Sequence, residues 1–226
     1  MSRILAPLAL ASLLLLSACA TGPATIAKRL QAIPAEQHAY LLGTYAITCV
    51  RSTPECDQQF NSISAYFRDT TDGSSSDRFS FVKGSFLVPD TKADFVDRAL
   101  GEKGYYFWIP LPPDDYEIFT YDFFNFAGGG NGYSVPTDNH FSLPFKLAPG
   151  EAVHIGRVKV TSRDGKNILG MLVPAPGFMM VSAESVEAER AALQKCPEPI
   201  GTDSYRRSPL SNGPVDAWPF VQVRSW

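Results

Sequence analysis

The sequence is poor in charge, in histidine and in cysteine. Charged residues make up 19% of the 226 positions, and the chain contains three histidines and four cysteines. The formal net charge of −3 excludes the strongly basic surface that a nucleic-acid-binding protein needs, so we expect no nucleic-acid partner. After the first twenty residues, no hydrophobic run approaches the ~18–20 residues that a membrane-spanning helix requires.

Sequence motifs of common catalytic and metal sites are also missing. The chain has no Gly-x-Ser-x-Gly elbow, no His-Glu-x-x-His helix, no phosphate-binding Gly-x-x-x-x-Gly-Lys loop and no Cys-x-x-Cys pair. Asp69, Asp72 and Asp77 miss the spacing of a calcium loop, and we expect a solvated turn there. His154 lies in an alternating segment, where a packed residue is more common than a ligand. The sequence therefore predicts a protein without enzymatic activity, without a metal and without a cofactor.

Aromatic residues, proline and glycine are abundant, with 15 Phe, 9 Tyr, 18 Pro and 17 Gly. Apolar and polar residues alternate with period two in short runs between turn residues, which is typical of half-buried strands. This pattern predicts a mainly β protein, an antiparallel β-sandwich of about seven or eight strands. The predicted strands cover 44–50, 62–67, 78–82, 104–109, 116–121, 141–147, 152–160 and 168–173.

Three further local features are predicted from the same patterns. Residues 91–100 are expected to form a short helix with Phe95, Val96, Ala99 and Leu100 turned inward. Asp164-Gly165 is expected to be a hairpin turn. Residues 182–195 form the one convincing helix, because serines can cap its start, glutamates lie in its first turn, and prolines follow it.

The first nineteen residues have the organisation of a bacterial signal peptide. Arg3 provides a positive start, and residues 4–16 are uncharged and rich in Leu and Ala. The sequence Leu16-Ser17-Ala18-Cys19 resembles the lipobox of bacterial lipoproteins. That resemblance implies cleavage before Cys19 and attachment of the lipid, with palmitate among its acyl chains, to the Cys19 thiol. Ala20 stands where many inner-membrane lipoproteins carry Asp, which favours the outer membrane, with the domain facing the periplasm.

These observations predict the organisation of the whole chain. It comprises a signal peptide at 1–18, a lipidated flexible tether at 19–40 with a short helix possible near 26–32, a β-sandwich domain at 41–178, a surface helix at 179–200, and a C-terminal extension at 201–226 that docks on the sandwich.

Three cysteines remain once Cys19 carries a lipid. Cys49 and Cys56 flank a short turn and are close enough in sequence to form a local disulfide, which an oxidising compartment would favour. Pairing of either cysteine with Cys196 is the alternative, and sequence alone does not decide between them.

Two stretches of the β region resemble a known domain type. The first reads G-Y-Y-F-x-x-x-L-P-P-x-D-Y-E-I from Gly104, and the second reads F-x-L-P-F-x-L-x-P-G-E-x-V-H-I-G from Phe141. They resemble the transthyretin-like, carboxypeptidase-regulatory-like β-sandwich domains of bacterial lipoproteins. Asp114 and His154 depart from the usual Gly and Tyr. The resemblance implies a fold and leaves the activity open, because this scaffold serves binding and assembly alike.

The segment 127–140 is the candidate recognition loop. It is rich in glycine and contains Asn131, Tyr133 and His140. The sequence predicts a non-enzymatic envelope lipoprotein, a binding or assembly module whose partners are the membrane, through its lipid, and an envelope protein or polymer. Two alternatives stay open: an envelope hydrolase or hydrolase inhibitor that uses this loop, and a lipoprotein component of a secretion system.

Overall fold

The computed structural model describes residues 23–50, 56–71, 73, 75–84, 89–128, 131–136, 140–196, 204–210 and 221–224. The expected signal peptide and the lipidation site at Cys19 lie outside these residues. Within them, no helix is both long and apolar enough to cross a membrane.

The described part of the chain contains two α-helices, a short 3-10 turn and twelve strands, so the prediction of a mainly β fold is confirmed. The helices are α1 (Pro23–Gln31) and α2 (Val186–Gln194), and the 3-10 turn is Ala35–Gln37. The strands are β1 (Ala39–Thr48), β2 (Ser62–Asp69), β3 (Ser76–Val82), β4 (Phe95–Asp97), β5 (Glu102–Leu111), β6 (Asp114–Gly128), β7 (Asn131–Pro136), β8 (Leu143–Leu147), β9 (Ala152–Lys166), β10 (Leu172–Ser182), β11 (Tyr205–Arg207) and β12 (Val221–Arg224).

The strands form two sheets. The seven-stranded sheet has the order β12-β10-β9-β1-β5-β4, with β11 also paired to β9, and the five-stranded sheet has the order β3-β2-β6-β7, with β8 paired to β6. The five-stranded sheet is antiparallel in its described pairs, as predicted. The seven-stranded sheet is mixed, because β1 with β9, β9 with β11, and β10 with β12 are parallel. Period-two alternation is the same in both strand directions, so the sequence pattern could not reveal this difference.

The two sheets face each other across an aromatic core. Tyr45 of β1 is fully buried, and its hydroxyl donates a hydrogen bond of 3.0 Å to the carbonyl of Ile63 in the opposite sheet. The rings of Phe79 and Phe107, one from each sheet, lie 4.3 Å apart. Burial of such rings removes a large apolar area from water, at about 25 cal/mol per Å², and joins the sheets.

The predicted helix at 91–100 is wrong. The segment forms the edge strand β4, followed by a turn, and Val96 and Leu100 are 49% and 65% exposed instead of turned inward. Strand β4 pairs with β5, where the Phe95 ring lies against Gly104. Tertiary pairing at the sheet edge therefore overrides the local helical periodicity.

The predicted turn at Asp164-Gly165 is also wrong. Strand β9 continues through Lys166, and the chain reverses around Asn167 before β10 begins at Leu172. The Asn167 side chain accepts hydrogen bonds of 3.0 Å from the backbone N–H groups of Leu169 and Met171. An Asn that bonds its own turn thus sets the reversal three residues beyond the predicted one.

Helix α1 is docked on the β domain, within the segment predicted as a flexible tether. Ile26 is buried, and the Arg29 guanidinium binds the carboxylates of Asp69 and Asp114, the latter at 2.6 Å. Asp69 is therefore a buried partner of an ion pair instead of part of a solvated turn. The contacts of Arg29 fix α1 at the end of the domain where β2 finishes and β6 begins.

Candidate functional site

A β-bulge in β9 builds the floor of the most distinctive site. The parallel register between β1 and β9 shifts between Leu42 and Thr44, where both Ile155 and Gly156 oppose Gly43. Gly156 has a φ of 91°, and a Cβ at this position would overlap the carbonyl of Ser182. The extra residue shifts the in-out alternation of β9 by one position. Residues after Gly156 that would otherwise face the core therefore face the outer side of the sheet.

The phase change is visible in the burial of β9. Val153 and Ile155 lie in the core between the sheets, and the next core residues are Val158 and Val160. Without the bulge, strict alternation would send Arg157 and Lys159 into this core. With it, they lie on the outer face beside β1.

Glu102 of β5 binds both of these cations. Its carboxylate is 2% exposed and pairs with the guanidinium of Arg157 and with the Lys159 ammonium, the latter at 2.5 Å. Burial, together with the charge of Arg157, lowers the pKa of Lys159 from its ordinary value. The Arg157 guanidinium also lies 5.2 Å from the centre of the Phe95 ring.

Two adjoining cavities, of about 620 and 410 Å³, open over this charged cluster between α2 and the β4–β5 edge. We refer to them together as the β4–α2 cavity. Both are lined by Glu102, Arg157, Glu184 and Ser185. Aromatic and aliphatic groups complete the walls, and the further lining residues include Phe95, Val96, Asp97, Arg98, Leu100, Tyr106, Lys159, Met180, Ser182, Ala183, Glu187 and Ala188.

Carboxylates outnumber cations around the larger cavity. Its lining contains four acidic residues but only two arginines. Glu184 is the most distinctive, because its side chain is 6% exposed and its Oε1 lies 3.8 Å from Arg157, while its Oε2 has no hydrogen-bond partner among the described residues. A buried carboxylate oxygen without a donor is costly, so it favours a ligand that brings one.

The start of α2 closes one side of the cavity. Ser185 is the N-cap, and its hydroxyl accepts a hydrogen bond of 3.2 Å from the backbone of Ala188. The Ser185 hydroxyl, the one hydroxyl that lines both cavities, is therefore engaged in capping the helix. Carboxylates beside an aromatic wall suit a cationic group with an apolar stem, such as an ammonium or guanidinium side chain.

The residues predicted as a recognition loop lie elsewhere. Asn131 and Tyr133 are in strand β7, which pairs with β6 in a hairpin, so this part of the segment is a strand instead of a loop. Tyr133 is 44% exposed, and its hydroxyl accepts a hydrogen bond of 3.3 Å from Asn125. His140 is exposed, with its ring 5.7 Å from that of Phe119. Residues 129–130 and 137–139 lie outside the described residues.

The cysteines are arranged as one pair and one thiol. Cys49 and Cys56 form a disulfide with their Cα atoms 4.7 Å apart, and Cys56 has a positive φ of 58°. Cys196 is free and half-buried, and burial raises the pKa of its thiol. Among the described residues, no cluster of His, Cys, Asp and Glu is arranged to hold a metal ion.

His154 of β9 is buried, and in the parallel pair of β9 with β11 it lies opposite Arg207. Its Nδ1 accepts a hydrogen bond of 3.1 Å from the backbone N–H of Gly156, and its Nε2 has no partner in the described part of the chain. Burial, and secondarily the charge of Arg207, lowers its pKa to about 4. His154 is thus a neutral, packed residue at neutral pH.

Sequence reasoning missed the β4–α2 cavity. One signal was present: the core residues of β9 are separated by two positions before Gly156 and by three across it. An isolated glycine inside a strand pattern is a recognised sign of a bulge. The glutamates and Arg157 come from strands and loops distant in sequence, and no local spacing brings them together.

Comparisons with known proteins add little. No family model matches the chain, and no curated protein sequence matches it. A solved structure of a leucine-rich repeat protein from Bacteroides thetaiotaomicron aligns with 57% of this chain and 14% of its own, at 8% identity and a TM-score of 0.31. A likeness this weak supports neither a fold type nor a function.

Proposed function

We propose that this protein is a non-enzymatic binding module, held by a lipid on Cys19 at the periplasmic face of the outer membrane. Its binding site is the β4–α2 cavity, and its ligand is a cationic, partly apolar segment of an envelope protein. The observation that carries the proposal is the buried Glu184 carboxylate, whose Oε2 lacks a donor among the described residues at the wall of a cavity rich in carboxylates.

The chemistry of the lining supports binding over catalysis. Two of the lining cations, Arg157 and Lys159, are already paired with Glu102. The Ser185 hydroxyl is engaged as a helix cap. The remaining carboxylates at the wall attract an ammonium or guanidinium group, and Phe95 and Tyr106 add aromatic surface beside them.

The lipid anchor is supported by the N-terminal sequence and by the short distance along the chain between Cys19 and α1. Cys19 precedes the first residue of α1, Pro23, by four positions, so a lipid on its thiol lies within about 14 Å of the helix. Arg29 docks α1 on the β domain, and on this proposal a lipid at Cys19 would hold that domain close to the membrane surface. Two or three acyl chains give effectively permanent attachment.

The fold type belongs to the same proposal. Two facing sheets with an aromatic core support a β-sandwich. The transthyretin-like subtype stays a prediction, and the parallel pairing of β1 with β9 is a feature that such a subtype has to accommodate.

The anchor is tested in cells. Globomycin should cause an unprocessed precursor to accumulate, and Cys19→Ser should abolish palmitate labelling, while Cys196→Ser, which keeps the lipobox intact, should leave labelling unchanged. Normal processing under globomycin together with normal labelling of Cys19→Ser would refute the lipid anchor.

The binding site is tested with two small probes of similar shape, phenethylammonium and 3-phenylpropionate. NMR titration should show millimolar binding of the ammonium probe, at least fivefold weaker in Glu184→Gln, and no comparable binding of the carboxylate probe. Tyr133→Ala, on the remote β6–β7 hairpin, serves as the control. Equal affinity for both probes, or no change in Glu184→Gln, would refute the assigned site.

A further inference from the structure

The tip of the β9–β10 hairpin is an exposed apolar surface. Four large aliphatic residues lie there within five positions, with exposed fractions of 101% for Ile168, 76% for Leu169, 56% for Met171 and 71% for Leu172. Isolated exposed aliphatic residues are ordinary, but a contiguous group of this size marks an interaction surface.

The charges beside the tip are mainly positive. Arg163 and Lys166 are exposed on the β9 side of the hairpin and outnumber Asp164, which is also exposed and accepts a hydrogen bond of 2.5 Å from Gln59. The hairpin tip is thus a cationic, apolar segment, which is the ligand class that the β4–α2 cavity suits.

The receiving surface has the complementary character. Leu100 and Met180 line the smaller cavity, and Val96 and Glu187 line the larger one. Val186 is 52% exposed at the start of α2 beside them. Aliphatic side chains of the tip would contact these apolar groups, and Arg163 and Lys166 would lie near the carboxylates of Asp97 and Glu187.

We infer that the occupant of the β4–α2 cavity is the β9–β10 hairpin tip of a second copy of this chain, and the inference rests on the binding site proposed above. Lys159 at the cavity and Lys166 at the tip are seven residues apart on β9, about 23 Å. A two-fold axis midway between them would let each copy place its tip in the cavity of the other.

The size of such a contact is sufficient for a specific dimer. Four exposed aliphatic side chains present roughly 500 Å² of apolar area per tip, so two tips and two receiving surfaces would bury roughly 1,500 to 2,000 Å² in total. With the axis normal to the membrane, both lipids reach the same bilayer and the β9 strands lie parallel to it.

Cysteine cross-linking between two tagged copies tests this contact in intact membranes. Both copies carry Cys196→Ser, one copy also carries Leu169→Cys, and the other also carries Leu100→Cys. Mild oxidation should give a disulfide-linked heterodimer in at least tenfold higher yield than the matched control pair, in which Tyr133→Cys on the other exposed hairpin replaces Leu169→Cys.

Charge exchange adds a second measurement. Lys166→Glu should reduce the cross-linked yield at least fivefold, and Glu187→Lys in the partner copy should restore it. A yield equal to the Tyr133→Cys control, with no response to the charge exchange, would overturn the dimer, as would labelling of the tip by a lipid-phase photoprobe in place of cross-linking. Retained phenethylammonium binding in that case would leave the proposed binding site standing, so the two failures are distinguishable.

Discussion

Arg157 of β9 binds Glu102 of β5 across the strand that separates them. Strand β1 lies between β9 and β5, so the two backbones are two strand spacings apart, about 9.6 Å. On β1, Arg157 lies opposite Thr44 and Glu102 lies opposite Thr48, so Ala46 is midway between them. The Ala46 side chain is small enough for the side chains of Arg157 and Glu102 to meet above it. The ion pair depends on a small residue in the middle strand and on the bulge at Gly156.

Replacement of Glu102 by Gln should destabilise the protein strongly. The amide removes the carboxylate that pairs with Lys159 and leaves Arg157 with only the more distant Glu184, on a surface where the two cationic side chains are 20% and 21% exposed. Loss of one partner from a buried pair costs about 3 kcal/mol. Urea denaturation should show this loss, whereas Glu187→Gln, on the exposed first turn of α2, should change the free energy of unfolding by less than about 0.5 kcal/mol. Equal stability of the two variants would contradict the assigned role of Glu102.

Replacement of Gly156 by Ala should affect both stability and the cavity. The φ of 91° is unfavourable for any residue with a Cβ, and that atom would overlap the Ser182 carbonyl. We expect a loss of about 2 kcal/mol in urea denaturation and weaker binding of phenethylammonium, since the bulge positions Arg157 and Lys159. Gly170→Ala is the matched control for conformation alone, because Gly170 also has a positive φ but no atom lies near its Cβ position. A loss in Gly156→Ala no larger than in Gly170→Ala would contradict a role for the bulge.

The fold was predictable as far as local patterns determine it. Alternation located strands such as β2, β5 and β8 and the mainly β class, because one face of each is buried and the other is not. It failed where long-range contacts decide the structure. The parallel pair β1–β9 joins residues more than one hundred positions apart, and the edge strand β4 exists because β5 offers hydrogen-bonding partners.

The candidate site was less predictable than the fold. Glu102, Arg157 and Glu184 belong to three separate elements, and charged residues at a strand start, within a strand and after a strand are read from sequence as solvated positions. Their burial follows from the bulge and from the position that α2 takes on the sheet; the helix itself was predicted, but its position is not determined by local sequence. Asp114 is a similar case: it stands where the resembled motif usually has Gly, and its partner, Arg29 of α1, is 85 positions away in the sequence.

Replacement of Arg29 by Ala should loosen α1. Asp69, which is 1% exposed, would lose its cationic partner. Asp114 would lose the Arg29 hydrogen bond, one of three that lower its pKa against the opposing effect of burial. The expected cost is about 2 kcal/mol. Limited trypsin digestion should cleave after Lys28 at least tenfold faster than in the unmodified protein. Arg98→Ala, a change in another arginine, is the control and should leave the cleavage rate unchanged; protection equal to that of the unmodified protein would show that Arg29 does not hold the helix.

Removal of the Cys49–Cys56 disulfide should lower the stability moderately. The bond closes a loop with a sequence separation of 7, and a loop of this length gives about 2.5 kcal/mol by chain entropy. The double variant Cys49→Ser with Cys56→Ser should show this loss in urea denaturation without reductant. Addition of reductant should remove the difference between the two proteins, and a difference that persists would mean that the disulfide is not its source.

Protonation of His154 should destabilise the protein in mild acid. The pKa of His154 is lowered by burial to about 4, compared with about 6.5 in an unfolded chain. As the pH falls from 6.5 to 4, the unfolded chain takes up a proton that the folded protein does not, so up to about 3 kcal/mol of stability is lost in this window. Arg207, which faces His154 from β11 and is paired with Glu189 of α2, adds to the penalty for the imidazolium.

Carboxylates also titrate in part of this range, so the measurement is a difference between variants. In urea denaturation at several pH values, His154→Gln should show a slope between pH 6.5 and 4.5 that is shallower than that of the unmodified protein, while the exposed His140→Gln should keep the original slope. Identical slopes for all three proteins would mean that His154 is protonated as readily in the folded protein as in the unfolded chain.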